Sequence, residues 1–140
     1  MVHNRCFVAG TKITLSDGEY KNIEDVVVGE KVLTYNESSG ETEPGFVGDL
    51  KVHNIENVID LVFDDTTLVT TTPEHPFFIK EKGWVVAKNI KVGDVCMKDD
   101  KTYVTIVSIK EYSDSHTVYN LLSVSENHNF FANKILVHNK

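Results

Sequence analysis

The fold class is first indicated by Lys12-Ile13-Thr14-Leu15-Ser16-Asp17-Gly18, a short β-branched run that ends in an Asp-Gly pair. Asp-Gly between apolar runs is a strong signal for a tight hairpin turn. Similar strand-like runs, separated by turn-forming residues, recur at 31–35, 58–63, 67–70, 84–86, 95–97, 103–109, 117–124 and 135–137. Many short strands at this spacing predict a sandwich, a barrel or a folded-over sheet.

The composition of the 140-residue chain also favours an all-β fold. Val, Ile and Thr total 41 residues, whereas Ala and Leu together number 11. β-Branched side chains are stiff at χ1 and fit a pleated surface better than a helix, which disfavours helix bundles and coiled coils. Only one or two short helical turns are expected, near 23–26 and 87–90. Because no Pro-, Gly- or Ser-rich linker divides the chain, we expect one domain.

Charge and hydropathy weigh against two classes of partner. The formal net charge is −7 and the sequence pI is about 5.3, whereas a nucleic-acid binder needs a cationic surface. No apolar run reaches the roughly 18 residues of a membrane span, and the first six residues do not resemble a signal peptide. We therefore expect no nucleic acid and no membrane as partner, and the sequence leaves the localisation open.

The chain contains one weak internal repeat. Residues 20–33 resemble residues 84–97 at a constant offset, as from Gly29 to Gly93. In both copies a short helical turn leads to a Val-Gly-acid triplet and then to a strand. Either a common turn recurs by chance, or the chain has two similar halves related by pseudo-symmetry. Between the predicted strands, we expect surface loops or turns at 41–48, 98–101 and 112–115.

Cys6 and His75 carry side chains suited to acyl-transfer chemistry. Cys6 lies at the edge of a predicted strand, so its thiol can attack the carbonyl of Arg5 intramolecularly, at an effective molarity of roughly 10⁵–10⁸ M. A lone cysteine is otherwise commonly a buried apolar residue. His75 lies between Pro73 and Pro76, which fix the local backbone, and a fixed imidazole suits proton delivery to an amide nitrogen. The alternative is a loop histidine without a chemical role.

The chain ends with a third reactive pattern, His138-Asn139. An asparagine side-chain amide can attack its own main-chain carbonyl, which forms a succinimide and breaks the next peptide bond. His138 and the nearby His128 can polarise that carbonyl or move the proton. A His-Asn pair also occurs by chance, as in His3-Asn4, to which we assign no role. The six histidines and two cysteines show no metal-ligand spacing, so we expect no metal and no cofactor.

Together these motifs resemble those of the Hint domains, the family of inteins and Hedgehog-type self-processing domains. The resemblance spans Cys6 to Asn139 and includes the Thr-x-x-His motif that runs from Thr72 to His75. It implies an all-β Hint-fold horseshoe with pseudo-two-fold symmetry, which agrees with the repeat. No long insert with an endonuclease helix motif lies between Met97 and Thr117, so the chain is most similar to a minimal intein or a bacterial intein-like (type A) domain.

The resemblance also implies domain boundaries. Residues 1–5 would be an upstream flank, residues 6–139 the self-processing domain, and Lys140 the downstream flank. The partners would be the flanking segments of the same polypeptide, and we expect a monomer. Such a domain acts once on its own chain rather than as a turnover enzyme.

The resemblance further implies a role for each site residue. Cys6 would convert the Arg5–Cys6 amide into a thioester, while His75 protonates the departing nitrogen and Thr72 holds the scissile peptide. Asn139 would cyclise and cleave the Asn139–Lys140 bond. The roles implied for the remaining residues are assistance to Asn139 from His138 and His128, and hydrogen-bonding support from Asn120.

Two positions depart from the family pattern. Asn120 lies where many members have an aspartate or a cysteine, and an amide cannot take up a proton as a carboxylate can. Lys140 has no side-chain oxygen or sulfur with which to capture the acyl group. Ordinary branched-ester splicing is therefore excluded if Lys140 is the native flank. Cleavage at both ends or ligation by the α-amine of Lys140 remain, and both are known for bacterial intein-like domains.

Two alternatives to self-splicing or self-cleavage stay open. A Hedgehog-like domain would pass the thioester to an external nucleophile such as a sterol, although that route needs no terminal Asn139. An inert β-rich binding module would use Cys6 and Cys96 as ordinary core residues. For Cys96 we expect burial, the alternative being a redox-sensitive disulfide with Cys6.

Overall fold

The computed structural model describes residues 5–139, within which thirteen β-strands and two 3₁₀ turns form. The strands are β1 (Phe7–Val8), β2 (Lys12–Thr14), β3 (Tyr20–Asn22), β4 (Lys31–Asn36), β5 (Glu41–Phe46), β6 (Asp49–Phe63), β7 (Leu68–Thr71), β8 (Pro76–Ile79), β9 (Gly83–Val86), β10 (Val95–Met97), β11 (Tyr103–Leu122), β12 (Asn129–Ala132) and β13 (Ile135–His138). The 3₁₀ turns are Ile23–Asp25 and Ala87–Asn89, where helical turns were expected. The described residues include no helix long and apolar enough to cross a membrane.

Most strands belong to one folded-over antiparallel sheet. Its order is β1-β7-β6-β11-β10-β8-β13-β12-β2-β3, with β9 added beside β8, whereas β4 and β5 form a separate hairpin. The short strand β1 pairs with both β7 and β11, so it is held between distant parts of the chain. The predicted Asp-Gly hairpin is confirmed, because β2 pairs with β3 and Gly18 has a φ of 88°.

Two predicted loops are wrong. Residues 41–46 form β5, which pairs with β4 along its whole length, and residues 112–115 lie within β11. The strands β6 and β11, of 15 and 20 residues, form one long hairpin with register shifts at two places, so not all strands are short. The polar residues of these two strands resembled loops in the sequence because the two-stranded arm is solvated over much of its surface. Backbone hydrogen bonds between the strands, and not burial of apolar side chains, hold this arm together.

The internal repeat is confirmed as a repeated local structure. The two 3₁₀ turns lie at equivalent positions, and Gly29 and Gly93 both take a positive φ, at 88° and 98°. Their N–H groups donate to Val47 and Ile106, at 2.7 and 2.8 Å. The acidic residue after each glycine pairs with an upstream lysine, as Lys21–Glu30 at 3.1 Å and Lys82–Asp94 at 2.8 Å.

One main apolar core lies inside the folded sheet. It contains the aromatic rings of Phe7, Phe63, Phe77 and Phe130 together with many β-branched residues. Cys96 is fully buried in this core, as expected, and both cysteines are free. The core therefore supports β1, which directly follows Cys6.

Candidate active site

Thr72 contacts both backbone groups of Cys6. The N–H of Cys6 donates to the Thr72 Oγ1 at 3.0 Å, and the N–H of Thr72 donates to the Cys6 carbonyl at 3.0 Å. The Thr71 hydroxyl also donates to that carbonyl, at the longer distance of 3.4 Å. All three residues are buried. The nitrogen of the Arg5–Cys6 peptide bond is thus fixed by a side chain distant in the sequence.

The Cys6 thiol is buried and protonated at neutral pH. Burial raises its pKa to about 11, although the nearby Lys51 ammonium partly opposes this change. Lys51 lies on β6 directly opposite Asn120 on β11. The sequence reasoning missed Lys51, since a lysine on a polar strand carries no distinguishing signal. At this pKa only about one thiol in 10⁴ is ionised at pH 7, so any attack by Cys6 must be accompanied by proton transfer.

His75 is fixed in the core as a neutral imidazole. Its backbone N–H donates to the Thr72 carbonyl at 3.3 Å, and its own carbonyl accepts from Ala87 at 2.9 Å. The ring packs against Phe7 with the centroids 4.2 Å apart. The aromatic edges of Phe77 and Phe130 complete the enclosure.

Burial lowers the pKa of His75 to about 3, partly offset by the backbones of His138 and Arg5, which favour the protonated ring. A hydrogen-bond acceptor raises the pKa of an imidazole because it stabilises the protonated ring. The backbone groups of His138 and Arg5 that act on His75 are therefore their carbonyls. Neither ring nitrogen has a partner at full hydrogen-bond geometry among residues 5–139. The imidazole ring therefore lies close to the carbonyl groups of Arg5 and His138.

Asn139 is held by backbone groups on every side. The ladder between β12 and β13 extends to it, so that its N–H donates to the His128 carbonyl at 3.0 Å. In the amide orientation that satisfies its surroundings, Nδ2 donates to the same carbonyl at 2.8 Å. The Oδ1 then accepts from the N–H groups of Ser123 and Val124, at 2.9 and 2.6 Å. The side chain is 3% exposed, and these contacts fix its orientation.

The two histidines predicted to assist Asn139 lie in different surroundings. The His138 ring packs edge-on against Trp84, with the centroids 4.8 Å apart. His128 is exposed and lines a cavity together with Asn139. The structure thus brings His128 to the same cavity as Asn139, while the His138 side chain lies against an aromatic ring.

Arg5 and Asn139, the first and last of the described residues, both line this cavity of about 460 Å³. Its lining residues are Arg5, Lys51, Asn120, Leu122, Ser123, His128 and Asn139. Asn120 is buried and its Oδ1 has no hydrogen-bond partner among the described residues. No three His, Cys, Asp or Glu side chains within residues 5–139 are arranged to hold a metal ion. Lys140 and the His3-Asn4 pair lie outside the described residues.

Known structures share this fold over almost the whole chain. The solution structure of a bacterial intein-like domain from Clostridium thermocellum superposes with a TM-score of 0.90 and 28% identity, covering 98% of this chain and 100% of that one. The DnaB intein from Synechocystis sp. PCC 6803 gives a TM-score of 0.86, covering 98% of this chain and 99% of that one. Because the sequence identity to this second structure is only 22%, the match shows the fold alone.

Sequence comparison gives one partial match and one that covers most of the chain. The tRNA-splicing ligase RtcB of Pyrococcus furiosus is 28% identical over 95 residues, which are 64% of this chain and 10% of that protein. Since the chain spans only a tenth of that protein's length, the match says nothing about the ligase as a whole. The family model of the pretoxin HINT domain matches residues 13–140. The chain therefore belongs to the pretoxin HINT domain family and has the Hint fold that inteins share.

Proposed function

We propose that this domain processes its own polypeptide, at the Arg5–Cys6 and Asn139–Lys140 bonds. The single observation that carries the proposal is that Arg5 and Asn139, one at each proposed cleavage site, line the same cavity. The backbones of Arg5 and His138 also both act on the pKa of the His75 imidazole. A domain that joins its two flanks needs both scissile bonds at one place. Membership of the HINT family and the likeness to a bacterial intein-like domain support the same function.

The first step converts an amide into a thioester. The Cys6 Sγ attacks the carbonyl carbon of Arg5, the C–N bond breaks, and the thiol proton ends on the Cys6 nitrogen. His75 is neutral and can therefore accept the thiol proton and return it to the nitrogen. Thr72 accepts the N–H of that nitrogen at 3.0 Å and keeps it oriented. An imidazole with a pKa near 3 is a weak base, so we expect it to take the thiol proton only within a concerted step in which the nitrogen is protonated at the same time.

The second step cleaves the downstream bond. The Asn139 Nδ2 attacks the main-chain carbonyl carbon of Asn139, and the bond to Lys140 breaks. One Nδ2 proton is transferred to the departing α-amine, and a C-terminal succinimide remains. We assign the movement of this proton to His128 and His138, with Asn120 supplying its unpaired Oδ1 as a hydrogen-bond acceptor. Because Cys6 and Asn139 are consumed or released, the domain acts only once.

The residue at Lys140 determines which products form. Lysine has no side-chain oxygen or sulfur to receive the acyl group, so branched-ester splicing is excluded with this flank. Thiolysis or hydrolysis of the thioester, together with cyclisation, releases both flanks. Attack of the freed α-amine of Lys140 on the thioester would instead join them. The flanks are thus the only partners that the proposal requires.

A mass-resolved time course tests this function. The wild-type chain is placed between two distinguishable flanking proteins, purified intact and incubated with and without a thiol at pH 7 to 8. We expect release of both flanks or a ligated product of the two. Cys6→Ala should abolish cleavage at Arg5 only, and Asn139→Ala should abolish cleavage at Lys140 only.

An unchanged mass after several days would refute self-processing and favour an inert binding module. A mass gain on the upstream flank that depends on added sterol would instead support Hedgehog-like transfer.

A further inference from the structure

The side-chain oxygen of Asn139 lies in a pocket made of main-chain donors. It accepts the N–H groups of two consecutive residues, Ser123 at 2.9 Å and Val124 at 2.6 Å. On the opposite side, Nδ2 donates to the His128 carbonyl at 2.8 Å. Two consecutive N–H groups converging on one oxygen form the arrangement of an oxyanion hole.

This arrangement matches the charge that cyclisation creates. An amide nitrogen is a poor nucleophile, because its lone pair is delocalised into the carbonyl. Before the attack Nδ2 must lose a proton, and the negative charge of the resulting amidate is shared with Oδ1. The later attack on the main-chain carbonyl carbon moves this charge onto the main-chain oxygen, so the charge on Oδ1 belongs to the activation of the nucleophile. Donors already directed at Oδ1 stabilise that charge without reorganisation. The proton leaves with the α-amine of the next residue, so that no other reactant is needed.

The donor segment is held in place by the end of β5 and the residues after it. The N–H of Ser125 donates to the Phe46 carbonyl at 3.0 Å, and the N–H of Gly48 donates to the Leu122 carbonyl at 3.1 Å. The N–H of Phe46 also donates to the Ser125 Oγ at 3.2 Å. Segment 122–125 therefore lies against residues 46–48 as a short additional ladder.

Two glycines make this close approach possible. A Cβ on Gly48 would lie 2.7 Å from the Ser123 carbonyl oxygen and 2.8 Å from the Ser123 Cβ. A Cβ on Gly45 would lie 2.1 Å from the Ser125 carbonyl oxygen. Neither glycine has a positive φ, so the requirement is for space and not for backbone conformation. A methyl group at either position must displace the donor segment.

We infer that the N–H groups of Ser123 and Val124 form an oxyanion hole for the amidate form of the Asn139 side chain, so that Nδ2 gives up its proton more readily, and that Gly45 and Gly48 are its positioning residues. The inference rests on the proposed function and deepens its second step. It predicts that cleavage at Asn139 depends on two glycines that do not line the cavity.

The first test compares the two cleavages within one molecule. In Gly48→Ala we expect cleavage at Asn139–Lys140 to slow at least about 10-fold, since a displacement of 1 Å costs about 10²-fold. Thiolysis at Arg5–Cys6 should be unchanged. Val92→Ala is the control, because the Val92 side chain is exposed and its truncation should leave both cleavages unchanged. Equal slowing of both cleavages in Gly48→Ala, or no slowing of either, would overturn the inference.

The second test removes a donor directly and decides the matter if Gly48→Ala does not fold. Val124 is replaced by the α-hydroxy acid of the same side chain, which deletes only its N–H. We expect cyclisation to slow about 10²-fold, the usual cost of losing one such donor. The same replacement at the buried Val26, whose N–H bonds to the Ile23 carbonyl, is the control and should leave cyclisation unchanged.

An undiminished rate in the Val124 ester would refute the oxyanion hole. Absence of cleavage in the unmodified chain would instead refute the proposed function, so that the two failures are distinguishable.

Discussion

The bond between Thr72 and the scissile nitrogen offers the sharpest test of the site. In Thr72→Val a methyl group replaces the hydroxyl, so the Cys6 N–H loses the acceptor that now lies at 3.0 Å. Leaving a buried donor unpaired costs about 1–3 kcal/mol. As the nitrogen takes up a proton, its N–H groups become more positive and their bond to Oγ1 strengthens. The loss therefore falls mainly on the transition state, which corresponds to about 5- to 150-fold in rate.

The assay measures thiol-induced cleavage at Arg5–Cys6 by mass spectrometry, in an Asn139→Ala background that blocks the second step. Thr71→Val is the matched control, because the Thr71 hydroxyl lies at 3.4 Å from the Cys6 carbonyl, which also accepts from Thr72. We expect the control to keep nearly the wild-type rate. Equal rates in the two variants, or a wild-type rate in Thr72→Val, would refute the assignment of Thr72.

Three further predictions concern charge and hydrogen bonding. Because burial lowers the pKa of His75 from 6.5 to about 3, the unfolded state binds a proton that the folded state does not. The free energy of unfolding should therefore fall as the pH drops from 6.5 towards 3, by up to about 1.4 kcal/mol per pH unit, and urea titrations of His75→Gln should lose this dependence. Lys51→Met should raise the pKa of Cys6 further and move the pH profile of thioester formation to higher pH; an unmoved profile would show that Lys51 does not act on the thiol. Asn120→Ala should lower the free energy of unfolding in urea less than Asn129→Ala, because the Asn120 Oδ1 is unpaired. The Asn129 side chain bonds to both backbone groups of Tyr35 at 2.8 Å, and its removal should cost about 1–3 kcal/mol. The opposite order would contradict the contacts described.

The strand content and the turns were predictable because their signals are local. The Asp17-Gly18 hairpin and the Val-Gly-acid turns at Gly29 and Gly93 all formed as expected. The errors fell on 41–46 and 112–115, which are polar and yet pair as strands. Strand pairing requires backbone hydrogen bonds to a partner strand and does not require apolar side chains. The sequence of a polar stretch does not indicate which strand will pair with it.

The sequence by itself determined that the chain is β-rich and that Cys6, the Thr72 to His75 motif and His138-Asn139 occur in the order of a Hint domain. These are properties of residue identity and spacing. Only the tertiary structure decided the environment that gives those residues their chemistry.

Burial raises the pKa of Cys6 to about 11 and lowers the pKa of His75 to about 3. The depth of burial cannot be read from the local sequence pattern. The two N–H groups on Asn139 come from the main chain, which every residue shares, so their role depends on where the chain folds and not on which side chains it carries.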